Sequence, residues 1–279
     1  MDSRSLLRQH NLRPRKGMGQ HFLVNGEVLQ AIAQAAHLQK DDTVIEVGPG
    51  LGALTTIMAP QTGDMLAVEL DTEMVAQLGE VLAPYPNVHV IQQDILQVNL
   101  AEELARLPHA QAGAGYKVVA NLPYYITTPI LRYFFAQARR PSLIVVTIQQ
   151  EVAQRMVAAP PDMNFLAVLV QYYGRVEIVR KVGADAFYPP PKVGSAVVRI
   201  TLHPDMPLDD MQTQQFFRLV SSGFSQPRKQ LHNPLAQGTG RTRVEIIAAL
   251  NACDINEKRR AETLSIAEWL HLLNVLFPK

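Results

Sequence analysis

Short apolar runs recur along the first two-thirds of the chain: TVIEV (43–47), MLAVEL (65–70), VHVIQ (88–92), YKVVA (116–120) and SLIVVTI (142–148). They are rich in β-branched residues and too short for helices, so they read as strands. Between them lie segments with helical spacing of apolar positions, such as GEVLQAIAQAAHL (26–38) and DTEMVAQLGEVL (71–82). Strands alternating with helices predict a parallel sheet with helices packed on its faces. RVEIVRKV (175–182) and SAVVRITL (195–202) are joined by only GADAFYPPPKVG. That leaves no room for a helical crossover, so these two are expected to pair antiparallel.

The pattern changes after residue 203. HPDMPLDD (203–210), with two prolines and three acids, reads as a linker. Beyond it the spacing is helical. TRVE (242–245) and SIAE (265–268) carry the capping-box signature ahead of apolar runs. The expected division is an α/β domain over 1–203 and a small all-helical domain over 204–279, with no internal repeats.

Composition narrows the class. The 279 residues are 47% hydrophobic, enough for a sizeable core, and no apolar run approaches membrane-spanning length. The basic N-terminus lacks the apolar stretch of a secretory signal. A single cysteine, Cys253, rules out an internal disulfide and a cysteine-rich metal site, and a reducing cytoplasm fits. The net charge of +1 is uninformative, but its distribution is not. Residues 1–20 carry five Arg or Lys against one acid, and residues 211–244 carry five, Arg228 and Lys229 among them, against none. Two basic segments on a near-neutral chain point to a polyanionic partner, with Arg228 and Lys229 as candidate phosphate contacts.

The strand ends hold the candidate chemistry. VIEVGPGLGALT (44–55) is a strand, a glycine-rich turn and a helix start, where backbone approaches a ligand and a helix N-terminus adds donors. Gly48 opens this turn. Glu69 ends the next strand, Asp94 follows the third and Asn121 ends the fourth. Ligands of open α/β sheets bind just past the carboxyl ends of the strands. A carboxylate at Glu69 suits both ribose hydroxyls of an adenine nucleoside, and Asp94 suits its amino group. The turn also satisfies the G-x-G-x-x-A dinucleotide pattern, but a dinucleotide gives no reason for Asp94 together with Asn-Leu-Pro-Tyr at 121–124. S-adenosylmethionine does, with its methionine tail over the glycine turn and Glu46 on the tail's ammonium.

Taken together, NLRPRKGMGQHFLVN (11–25), VIEVGPGLGALT, NLPY, QQEVAQRMVA (149–158), FYPPPKVGSAVVRI (187–200), SGFSQPRKQLHNPL (222–235) and RAETLS (260–265) resemble the KsgA/RsmA family of ribosomal RNA adenine dimethyltransferases. The resemblance runs nearly end to end. It implies a seven-stranded methyltransferase Rossmann fold with a helical C-terminal domain. It implies an enzyme that uses S-adenosylmethionine to methylate N6 of two adjacent adenosines near the 3′ end of 16S rRNA, within the immature 30S subunit, as a cytoplasmic monomer acting away from any membrane. It assigns cofactor contacts to His21, Leu23, Gly48, Glu69, Asp94 and Asn121, and the target-base pocket to Asn121, Leu122, Pro123, Tyr124 and Phe187, with no metal. Tyr125 reads as core or pocket wall. Leu122 favours ribosomal RNA, because DNA-adenine and protein-glutamine methyltransferases usually carry proline there. Two alternatives share the fold: an Erm-like methyltransferase of 23S rRNA, and a catalytically silent assembly or transcription factor. The chain departs from the family pattern at His21 (usually Asn), Gly194 (usually an acid), APPDMNFLAV at 159–168, and Pro227 and His232 (usually Arg).

Overall fold

The computed structural model describes residues 21–111 and 115–278. The basic segment 1–20 lies outside the described residues. The chain divides into two compact units, one of residues up to 153 with 177–202, the other of 154–176 with 203–279. The sequence reading assigned 154–176 to the first domain; contacts within the fold group it with the helical one.

The first unit is built on a seven-stranded sheet in the order β4-β3-β2-β5-β6-β9-β7. Its strands are β2 (Thr43–Val47), β3 (Asp64–Glu69), β4 (Val88–Gln92), β5 (Tyr116–Asn121), β6 (Leu143–Gln149), β7 (Gly174–Val182) and β9 (Ser195–Leu202). From β4 through β6 every pairing is parallel, and β9 runs antiparallel to β6. Central strands of a parallel sheet are covered on both faces, which is why TVIEV and DMLAVE are buried at every position while the edge strand VHVIQ is not. A separate pair, β1 (Phe22–Leu23) with β8 (Phe187–Tyr188), aligns Leu23 with Phe187.

The helices of this unit are α1 (Gly26–Ala35), α2 (Thr55–Met58), α3 (Thr72–Leu82), α4 (Leu100–Ala105), α5 (Pro108–Gln111) and α6 (Thr127–Phe135); α7 (Gln150–Met156) follows β6. Asn25 and Asp71 cap α1 and α3 by accepting from Val28 N and Glu73 N. Helix α1 packs on β6, and α3 packs on β3 and β4. The chain leaves β2 toward β3 and β4, then returns to place β5 on the other side of β2. That reversal opens a crevice at the carboxyl ends of β2 and β5.

The second unit consists of α8 (Phe165–Tyr173), α9 (Asp210–Phe224), α10 (His232–Thr239), α11 (Arg243–Ala252) and α12 (Ile266–Leu276). Helix α8 belongs here because it packs on α9 and α12. Its Tyr172 stacks on Phe216 at 4.9 Å between centroids, and the phenol pairs with Thr213 at 2.7 Å. Both capping boxes read from the sequence form, at Thr242–Glu245 and Ser265–Glu268. A third, Asp209–Gln212, starts α9 inside the stretch read as linker.

Candidate active site

Four successive parallel strands deliver residues to one cleft. The turn after β2 begins at Gly48, whose backbone is left-handed (φ 66°) and whose missing Cβ would meet nothing within 4 Å. A ligand can therefore approach the main chain there. The helix expected beyond the turn is only Thr55–Met58, and the Gly50 amide donates to Glu69 Oε2 at 3.1 Å. The turn's donors thus organise a neighbouring carboxylate.

Glu69, the last residue of β3, is buried. Its Oε1 accepts from the Leu70 and Asp71 amides at 2.9 Å each. Burial raises its pKa, against the pull of those backbone donors and of Gly50. With three amides fixing its plane, the carboxylate faces the cleft with acceptor capacity on Oε2. Asp94 follows β4 and caps the turn Ile95–Gln97 by accepting from Leu96 N at 3.0 Å. Both the capping role and a place in the cleft wall belong to it.

Glu46 is 2% exposed, and among the described residues one side-chain hydrogen bond reaches it, from Thr55 Oγ1 to Oε2 at 2.6 Å. Burial pushes its pKa up to about 8, opposed by Thr55 and reinforced by the charge of Glu69. Glu46, Glu69 and Asp94 line the cleft, and among the described residues no lysine or arginine does. Such a wall suits a ligand carrying positive charge beside an adenine nucleoside, and S-adenosylmethionine, with its sulfonium and ammonium, fits that donor set.

The other half of the cleft is the turn after β5. Asn121 ends the strand, and its Nδ2 donates to the His21 carbonyl at 3.1 Å. A carbonyl can only accept, so the nitrogen is the engaged end, and the side-chain oxygen takes no hydrogen bond among the described residues. Leu122 is buried and its amide donates to Thr147 O at 3.2 Å. The Pro123 carbonyl accepts from Ile126 N at 3.2 Å, whereas the Leu122 carbonyl takes no hydrogen bond among the described residues. The Tyr124 phenol pairs with Ser195 Oγ at 2.6 Å, and its ring lies nearly parallel to that of His21 at 6.0 Å. His21 Nδ1 sits 2.7 Å from the Pro189 carbonyl and so carries the hydrogen.

Phe187 is 2% exposed and enters the same cleft because β8 pairs with β1, which also supplies Leu23. His21, Leu23, Gly48, Glu69, Asp94, Asn121, Leu122, Pro123, Tyr124 and Phe187 all line this one opening, which encloses about 1210 Å³ with its mouth included. Sequence reasoning missed Ser195, which anchors Tyr124 across 71 residues, and Thr55, which holds Glu46; neither has a motif that signals its partner. It also placed Tyr125 in the core or wall. The residue lines the cleft but is 65% exposed.

Outside the cleft, Arg228 and Lys229 are exposed on the turn between α9 and α10 of the second unit. Arg241, counted in the same basic stretch, instead donates to the Leu276 carbonyl and lies 5.2 Å over the Phe277 ring. His232 is buried, with Nδ1 on the Glu257 carbonyl at 2.9 Å. It is therefore part of the helical core rather than the basic surface. A Cβ at Gly194 would sit 2.9 Å from Gln150 Oε1, so that side chain occupies the space next to the departure from the family pattern.

A Rossmann sheet with ribose- and adenine-suited acids after β3 and β4, and Asn-Leu-Pro-Tyr after β5, defines an S-adenosylmethionine-dependent methyltransferase. The model of the ribosomal RNA adenine dimethylase family matches residues 11–276. Ribosomal RNA small subunit methyltransferase A of Dehalococcoides mccartyi is 44% identical over 267 residues, covering 96% of this chain and 90% of that protein. The same-named protein of Moorella thermoacetica is 40% identical, covering 98% and 96%. The chain belongs to the ribosomal RNA adenine dimethylase family and acts on adenine in ribosomal RNA. Two solved structures share the fold: a dimethyladenosine transferase from Plasmodium falciparum (TM-score 0.76, 23% identity, 90% of this chain and 96% of that one) and 23S rRNA methyltransferase ErmE (TM-score 0.72, 24% identity, 91% and 99%).

Proposed function

We propose that this protein methylates N6 of two adjacent adenosines near the 3′ end of 16S rRNA within the immature small ribosomal subunit, as a cytoplasmic monomer. The observation that carries the reading is the Asn121 side-chain oxygen beside the Leu122 carbonyl, neither hydrogen-bonded among the described residues, in an acid-lined cleft. The relatives named small subunit methyltransferase A support the choice of RNA.

S-adenosylmethionine supplies an electrophilic methyl on a cationic sulfur. Glu69 would accept from the ribose hydroxyls, Asp94 from the adenine amino group, and Glu46 from the ammonium, with Gly48, His21 and Leu23 lining the tail and ribose. The N6 lone pair of a target adenine is delocalised into the ring and so is weakly nucleophilic. Asn121 Oδ1 and the Leu122 carbonyl would accept the two amino hydrogens and turn the lone pair toward the methyl. Pro123 fixes the turn, since its ring locks φ. Tyr124, held by Ser195, would stack on one face of the extruded base and Phe187 would close the other. Rate then comes from positioning rather than from a strong base. Arg228 and Lys229 would grip phosphates, not bases.

The test is transfer of labelled methyl from S-adenosylmethionine to purified immature small subunits and, in parallel, to 23S rRNA, followed by mapping of the modified bases. Two adjacent adenosines near the 3′ end are expected. Label confined to 23S rRNA would make this an Erm-like enzyme, and no label at all would leave a silent assembly factor.

A further inference from the structure

Tyr124 and Tyr125 are consecutive on a 3-10 turn, Tyr124–Ile126. Successive side chains on such a turn point about 120° apart, so the two rings cannot both enter the base pocket. Tyr124 is turned inward, pinned by Ser195 and parallel to His21. Tyr125 is turned outward. It is 65% exposed, yet it lines the same cleft. Among the described residues its ring makes no aromatic contact and its phenol no hydrogen bond. A large aromatic surface left in water at the rim of a nucleobase site lacks a structural reason.

The substrate supplies one. Extruding one base from a strand breaks the stack with its neighbour, which costs a few kcal/mol. The neighbour is covalently tied to the extruded nucleotide and must lie beside the pocket mouth, as Tyr125 does beside Tyr124. We infer that Tyr125 is a stacking platform for the nucleobase flanking the one being methylated. On this assignment the two tyrosines hold two adjacent bases at once, one in the pocket and one on the rim. A π-face is sequence-tolerant, so the same platform serves whichever of the two adenosines is outside. The inference rests on the function proposed above and names a second subsite of that cleft.

Kinetics on immature small subunits with Tyr125→Ala, Tyr125→Phe and Tyr125→Trp test it. Base stacking on an aromatic side chain is worth about five- to a hundredfold in affinity. Tyr125→Ala is expected to raise KM for the particles by that factor, with the effect on KM rather than kcat and with calorimetric affinity for S-adenosylmethionine unchanged. The Phe and Trp variants should restore KM. A wild-type KM in Tyr125→Ala overturns the platform while leaving the proposed function standing. A Phe variant as impaired as the Ala variant also overturns it, since the phenol rather than the ring would then matter. Wild-type protein unable to methylate the particles removes the function and the platform together.

Discussion

Asn121 carries two hydrogen-bonding ends with different tasks. Its Nδ2 is held on the His21 carbonyl, and on the proposed mechanism Oδ1 accepts from the target N6. Removing the side chain deletes the acceptor while leaving the stacking rings and the cofactor acids in place. Asn121→Ala should therefore lose about a hundredfold or more in kcat, the usual cost of a lost preorganised contact. RNA affinity should stay near wild type. A single-turnover rate close to wild type would show that the amide is only structural. Glu46 gives the other prediction at this scale. Its pKa of about 8 in the fold lies well above the ordinary carboxylate value of 4.5. Between those limits the unfolded chain is ionised and the folded one keeps its proton. Stability of the cofactor-free protein accordingly falls as pH rises through that window, by an amount on the order of a few kcal/mol. Glu46→Gln should remove this loss, so its advantage over wild type grows from pH 5 to pH 8. Denaturant titrations at several pH values would show it, and parallel curves would refute the buried-acid reading.

At the level of elements, the helical unit is fixed by caps and by close helix crossings, that of α9 with α12 among them. A Cβ on Gly223 in α9 would lie 2.4 Å from Trp269 Cη2 and 3.3 Å from Leu231 Cδ1. Trp269, the chain's single tryptophan, is fully buried. Alanine normally favours a helix over glycine by about 1 kcal/mol. Here overpacking costs roughly 1–3 kcal/mol and wins. Gly223→Ala should lower the unfolding midpoint followed by Trp269 fluorescence, and an unchanged or raised midpoint would contradict the packing. The capping boxes of α11 and α12 were readable from TRVE and SIAE because a cap is a local motif. The start of α9 was not. Its Asp-Asp-Met-Gln looked like the tail of an acidic linker, and the Asp209–Gln212 reciprocity appears only once the helix is built.

For the whole molecule, the prediction concerns its charge. Five cations and no acid lie over residues 211–244, but the fold separates them. Arg241 is tied to Leu276 and Phe277, whereas Arg228 and Lys229 stand exposed. Each phosphate neutralised on binding releases condensed counterion, so log affinity falls linearly with log salt. Replacing Arg228 and Lys229 by Gln should flatten that slope by roughly 1–2 units for the pair and raise KM for small subunits. Affinity for S-adenosylmethionine should not move. Parallel salt lines for the wild type and the double variant would mean the turn is a solvated surface, and the grip on RNA would have to lie elsewhere.

The sequence by itself determined the alternation of strands and helices, the glycine turn, and the acids and Asn-Leu-Pro-Tyr at four strand ends. These are local: strand periodicity fixes where a run ends, and a residue just past that end is carried to the binding edge of any parallel sheet. Recognition of the family reached the same residues through their motifs. Tertiary structure decided what depends on distant partners. It set Tyr124 on Ser195, brought Leu23 to Phe187 through a two-strand pair, and turned Asn121 by the carbonyl of His21. It engaged the Pro123 carbonyl and left that of Leu122 without a hydrogen bond among the described residues, a distinction the motif left open. It also buried His232, put Tyr125 in solvent and moved 154–176 into the helical unit. Side-chain direction and burial depend on which surfaces meet after the chain has folded back on itself, and no pattern of neighbours along the chain encodes that.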